Sequence, residues 1–264
     1  MKIPVLLLGK SALFFLLIAL VFSSCVPQKK IKYLQKKQKE DTVSYYANKR
    51  NVDYKIQPKD NLYIRVFSLD EKSFLFFNKQ SGTSSYNDYA NDASIYLNSY
   101  SVNTDGNIDF PLLGKIYVKD LNVEQVKNLM QQLINEYLSE TTVVVKMVNF
   151  KLTFVGEVSR PGEYTIYKDD INIFEALSIA GDMTDFANRN KVALIRQTKG
   201  GSKVFYLDLT SDKILNSDFY YLQPNDIIYI MPLGYKRWGL GSTFPWALIF
   251  ASISTALLLI NYFK

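Results

Sequence analysis

The sequence predicts an α+β chain of two small domains, preceded by a lipoprotein signal and followed by a transmembrane helix. Three observations carry this. Strand-like runs rich in β-branched residues alternate with two helix starts that bear capping boxes, a short apolar run ends at the sole cysteine, Cys25, and residues 240–263 contain no charge. With 48% hydrophobic and 21% charged residues, the 264-residue chain has the composition of a protein that buries real cores.

The N-terminal pattern is Lys2 and Lys10, an apolar run at 11–22, then Ser23 and Ser24 before Cys25. Positive region, short apolar core and small residues make a secretory signal, and the run is shorter than the roughly 20 residues of a bilayer span. The cysteine at the cleavage point marks a bacterial lipoprotein. Residues 1–24 therefore read as signal peptide, Cys25 as the lipidated N-terminus and 25–50, rich in Lys and Gln, as its tether. The formal charge is +6. Much of it sits in the signal and in Lys29, Lys30, Lys32, Lys36, Lys37 and Lys39 beside the membrane, so nucleic-acid binding is not expected.

The two domain cores follow in order. The QPKD turn at 57–60 precedes the alternation Leu62, Ile64, Val66, and QPND at 223–226 repeats the design before the last strand. Residues 69–100, dominated by Ser, Asn, Asp and Tyr, read as a surface insertion, with no role for Tyr86, Tyr89, Tyr96 or Tyr100. Thr104, Asp105 and Gly106 mark a turn and 107–110 a strand. Asn122 with Gln125 opens a helix whose apolar face is Val123, Val126, Leu129, Met130, Leu133, Ile134, Tyr137 and Leu138. A β-branched strand follows at 141–148. The second unit has strands at 152–158 and 164–167 around an Arg160-Pro161-Gly162-Glu163 turn. Its helix is capped by Asn172 and Glu175 and closed by Gly181, and a hairpin spans 199–202.

Residues 240–263 read as a transmembrane helix, with Pro245 in its first turn and Trp238, Trp246 and Tyr262 as interfacial anchors. Ala247, Ala251, Ser254 or Thr255, Leu258 and Asn261 recur every three or four residues. They form a weakly polar stripe suited to helix packing or to the lumen of a ring.

The chain contains no histidine and one cysteine, which excludes a Ser-His-Asp triad, a Cys-His pair, a His-ligated metal and an intramolecular disulfide. Asp105, Asp109, Glu157 and Glu163 read as solvated turn and cap residues rather than as a glycosidase pair. No catalytic, cofactor or metal site is expected, and the chain is not expected to be an enzyme.

Residues 54–148, with QPKD, TDGNIDFPLLGKI and the amphipathic helix, resemble the polysaccharide biosynthesis/export domain of outer-membrane polysaccharide export proteins. Residues 154–232, with FVGEVSRPGEYTI, IFEALSIAGDMTD, VALIRQ and YYLQPNDIIYIMP, resemble the SLBB (soluble-ligand-binding β-grasp) domain that follows it in that family. Boundaries at 51–150 and 151–233 fit both. The resemblance implies a ring-shaped homo-oligomer of outer-membrane lipoproteins with its body in the periplasm. Capsular or exopolysaccharide passes through, delivered by an inner-membrane copolymerase that is often a tyrosine autokinase. The C-terminal helices form the channel wall, although 240–263 is more apolar than a water-lined wall needs. The alternative is a membrane-anchored scaffold of the synthesis complex without its own pore. Val26 after Cys25, where an aspartate favours inner-membrane retention, points to the outer membrane.

Overall fold

The computed structural model describes residues 31–36, 45–48, 54–68, 92–138, 140–198, 200–234 and 246–262. The signal run, Cys25 and Trp238 lie outside the described residues.

The first domain is launched by the QPKD turn. Pro58 supplies one corner and Lys59 a left-handed φ of 78°, so Asp60 turns inward and accepts from the Gln57 amide at 2.8 Å. β1 (Asn61–Ser68) then buries Leu62, Ile64 and Val66. It runs antiparallel between β2 (Tyr100–Ser101) and β5 (Thr141–Met147). A hairpin of β3 (Asn107–Phe110) and β4 (Gly114–Tyr117) stands beside β2. The ordered stretch before β2 holds a short helix, α1 (Asp92–Leu97).

α2 (Val123–Asn135) covers the sheet with Val126, Met130 and Ile134. The expected capping box is formed. Asn122 accepts from the Gln125 amide at 2.7 Å while the Gln125 side chain accepts from the Asn122 amide at 2.9 Å.

The insertion expected at 69–100 requires a correction. Residues 92–101 are part of the domain, and Tyr100 is 3% exposed, its ring centred 4.9 Å from that of Phe110. One buried aromatic in a polar stretch breaks no hydropathy pattern, so composition concealed it.

The second domain is a five-stranded sheet in the order β7-β6-β10-β8-β9. Its strands are β6 (Lys151–Gly156), β7 (Gly162–Thr165), β8 (Ala187–Thr198), β9 (Gly201–Leu207) and β10 (Ile227–Pro232). β10, last in sequence, lies in the middle, parallel to β6 and antiparallel to β8. α3 (Ile173–Ile179) packs Ile173, Ala176 and Leu177 into a core with Phe154, Leu194 and Ile228. This is the expected sheet grasping one helix.

The glycine of the FVGE motif is required by the parallel contact. Gly156 has φ of 94°, and a Cβ there would stand 2.1 Å from the carbonyl oxygen of Ile230. The RPGE and AGD motifs meet in space. Arg160 donates to the carbonyl of Ile179 at 2.8 Å, closing α3, and Gly181 at φ 78° leaves room for the Arg160 side chain.

α4 (Trp246–Tyr262) is 17 residues long, and no helix among the described residues is long and apolar enough to cross a membrane. The transmembrane helix expected over 240–263 is corrected accordingly. At 1.5 Å per residue α4 rises roughly 25 Å, short of the roughly 30 Å hydrocarbon core of a typical bilayer.

Candidate functional surfaces

Three surfaces bear on function: the junction between the domains, the N-terminal segment and α4. The junction is built from the first of the two QPxD turns. Asp60, 3% exposed, accepts from the Gln57 amide, from the Tyr54 hydroxyl at 2.9 Å and from Asn149 at 3.4 Å. Asn149 also accepts from the Asn61 amide at 3.0 Å, and the Val148 amide donates to the Asn61 carbonyl at 3.0 Å. The linker is thus stitched to the first residue of β1. Burial pushes the Asp60 carboxyl above its ordinary range, with its donors opposing. Burial, and then the charge of Asp60, raises the Tyr54 phenol, which keeps it a donor.

The QPND turn repeats this geometry with a different counterpart. Asn225 takes φ of 66°, and fully buried Asp226 accepts from the Gln223 amide at 2.7 Å. Its carboxylate is then held by both arms of Arg196, at 2.8 and 2.7 Å. Each turn fixes the start of a strand central to its sheet. The likeness between the two stretches is therefore one of mechanism as well as of letters.

Between the N-terminus of α2, the edge of β5 and the loop at 168–169 lies a cleft of about 440 Å³. Tyr54, Lys127, Val145, Met147, Phe150 and Lys168 are among its lining residues. Lys146 and Asp169 pair across the junction at 2.7 Å, both largely exposed, so the pair contributes little. Among the described residues no cluster of acids or cysteine stands close enough to hold a metal ion.

The expected tether is only partly a tether, because residues 33–35 are docked on the second domain. The Leu34 and Gln35 amides donate to the carbonyls of Leu209 and Thr210 at 3.2 and 2.6 Å. The Tyr33 ring lies under the Arg189 guanidinium, 5.2 Å away, and meets Phe174 edge to face. Its hydroxyl donates to Asp182 at 2.5 Å. Burial and this partner push the Tyr33 phenol up to about 12. Further on, Tyr46 donates to Asp212 at 2.6 Å. Nothing in the polar composition of 25–50 signalled this. One tyrosine followed by leucine is too short a pattern to register.

Of the stripe on α4, Ala251, Ser254, Leu258 and Asn261 are exposed, and the Ala247 side chain lies outside the described residues. The Ser254 and Thr255 hydroxyls donate back to the Ala251 carbonyl at 2.9 and 2.7 Å, which satisfies them within the helix. Leu257, Leu258 and Ile260 are each more than 60% exposed, and Tyr262 is 84% exposed. An apolar helix with so much uncovered surface requires lipid or partners. Trp246 opens the helix and Tyr262 ends it.

Comparison with known proteins bears on this two-domain order. Residues 48–148 match the family described as polysaccharide biosynthesis/export protein, and residues 151–230 match the SLBB domain. The chain thus carries a polysaccharide biosynthesis/export domain followed by an SLBB domain. The EPS I polysaccharide export outer membrane protein EpsA of Ralstonia solanacearum is 29% identical over 154 residues, covering 57% of this chain and 40% of that protein. The protein of the same description from Ralstonia nicotianae is 29% identical over 110 residues, covering 40% of this chain and 28% of its own length. The chain thus spans well under half the length of these relatives.

Proposed function

We propose that this chain is an outer-membrane lipoprotein, acylated at Cys25, whose copies form a ring for export of capsular or exopolysaccharide. The observation that carries this is the export-then-SLBB order with both membrane-directed ends leaving the second domain. Tyr33 is docked there only eight residues after Cys25, a reach of at most roughly 29 Å. β10 of the same domain leads toward α4. Acylated N-terminus and apolar helix are thus both attached, along the chain, to the second domain.

The relatives' names, polysaccharide export outer membrane protein, support both substrate class and location. Passing a finished polymer needs an enclosed polar path and no bond-making, so no catalytic group is assigned. Ala247, Ala251, Ser254, Leu258 and Asn261 pack α4 against neighbouring copies, with Trp246, Tyr262 and Trp238 at the lipid interface. An inner-membrane copolymerase, of the tyrosine-autokinase kind, delivers the polymer to the periplasmic end. One observation favours the alternative, a scaffold without its own pore: the 17-residue length of α4.

The test is a strain lacking this chain. Polymer synthesis continues, surface polymer falls to background and polymer accumulates in the periplasm, while in the complemented strain the protein fractionates with the outer membrane. Undiminished surface polymer, or a protein confined to the inner membrane, would contradict the reading.

A further inference from the structure

Among the described residues, the stretch 31–36 reaches the second core through one side chain, Tyr33. Its neighbour Leu34 is 39% exposed. Buried Arg189 donates to the carbonyls of Met183 and Thr184 at 3.1 and 3.2 Å, and the face of the Tyr33 ring covers its guanidinium. The hydroxyl, donated to Asp182, ties the same ring to the turn that follows α3. Two backbone bonds and a parallel bridge from Gln35 to Ser211 complete the contact. One ring, one hydroxyl and two amides make a latch. They hold three residues in place, yet are few enough for one substitution to undo.

The latch lies close in sequence to the acylated end. With it closed, eight residues separate Cys25 from the second domain, a reach of at most roughly 29 Å. With it open, the next described fixed point is the bond from Tyr46 to Asp212, 21 residues from Cys25 and at most roughly 76 Å away. The other apolar end of the chain leaves the same domain, since β10 ends at Pro232 and α4 begins at Trp246, 14 residues on. α4 exposes apolar side chains all round, with only Ile253 half-buried among those described. A medium that surrounds the helix suits it better than a groove that covers one face, and lipid is such a medium. At 17 residues α4 is short, and stable membrane attachment by a marginal anchor takes a second signal.

We propose that the docking of Tyr33–Gln35 couples the lipid on Cys25 to the entry of α4 into the membrane. This rests on the acylation reading above. An acyl chain and a short apolar helix held by one domain form a two-point anchor, and the second point engages at an effective concentration set by the lead that joins them. That concentration falls roughly as the −3/2 power of lead length, so going from 8 to 21 residues lowers it about fourfold. Tyr33 is thus a positioning residue for α4.

The test uses the acylated full-length protein in vesicles of phosphatidylethanolamine and phosphatidylglycerol. The chain has two tryptophans, Trp238 shortly before α4 and Trp246 at its start, so quenching of tryptophan emission by brominated lipid measures the fraction of α4 in the membrane. Tyr33→Ala is expected to raise hydrogen exchange of the Leu34 and Gln35 amides at least about tenfold, the equivalent of one hydrogen bond to a charged group. It also lowers the ratio of inserted to free α4 about fourfold. A Gly-Ser spacer of about 13 residues after Lys30 keeps the latch and gives the same fall, whereas the same spacer after Lys39, beyond the latch, leaves insertion at the parent level. A merely structural role for Tyr33 would not make insertion depend on which side of the latch is lengthened. Unchanged amide exchange in Tyr33→Ala, equal quenching in every variant or equal effects of the two spacers overturns the proposal. A mass spectrum without acyl chains on Cys25 would remove the lipoprotein reading itself, a result distinct from an acylated chain whose α4 is indifferent to the latch.

Discussion

Arg196→Met lowers the unfolding free energy of the second domain by about 3–5 kcal/mol, because it leaves the buried Asp226 carboxylate without its cation. Asp226 is fully buried, and both its oxygens are held by the guanidinium. Methionine keeps an unbranched apolar side chain at this position while removing the guanidinium that lies 5.8 Å from the Phe219 ring, so most of the loss is electrostatic. Replacing both partners, Arg196→Met with Asp226→Leu, recovers at least half of the loss, since no charge is then left buried. The double variant still loses the Gln223 amide bond that pins the QPND turn. Pulse proteolysis of the mature chain across a urea series measures both effects. A single variant within about 1 kcal/mol of the parent would mean that water reaches Asp226.

Removing residues 240–264 abolishes polymer at the cell surface while leaving both domains folded. Among the described residues the two hydrophobic cores contain none from α4, so no loss of packing is expected from the truncation. What is lost is an apolar helix whose large side chains are mostly exposed and which gains stability only against lipid or other copies. Immunoblotting confirms the truncated chain, and antibody against surface polymer reads export. Normal surface polymer from the truncated protein would favour the scaffold reading, with the pore supplied by another protein.

The parts of the fold that the sequence announces are those with a local physical signature. Asn122 with Gln125 and Asn172 with Glu175 write their capping boxes into a spacing of three, and both boxes are formed. Leu62, Ile64 and Val66 alternate because one face of β1 is buried, and Gly181 closes α3 from the left-handed region as its position suggests. Contacts made by residues far apart leave no such trace. That Arg196 belongs to Asp226, that Gly156 must clear the Ile230 carbonyl and that Tyr33 sits beneath Arg189 depend on strand order. β10 reaches the middle of its sheet only after the whole domain has been laid down, so its neighbours are set by tertiary packing. The stripe on α4 is defined by helical period alone, and apart from half-buried Ile253 the described side chains all round this helix are exposed, so no contact within the described residues marks one face.

The ring is tested most directly by extracting the acylated full-length protein from membranes in mild detergent, then determining its mass by native mass spectrometry and its shape by electron microscopy. Closed rings of one fixed copy number are expected, each subunit carrying acyl chains on Cys25. A chain that remains a monomer at all protein concentrations, or one that still carries residues 1–24, would contradict it.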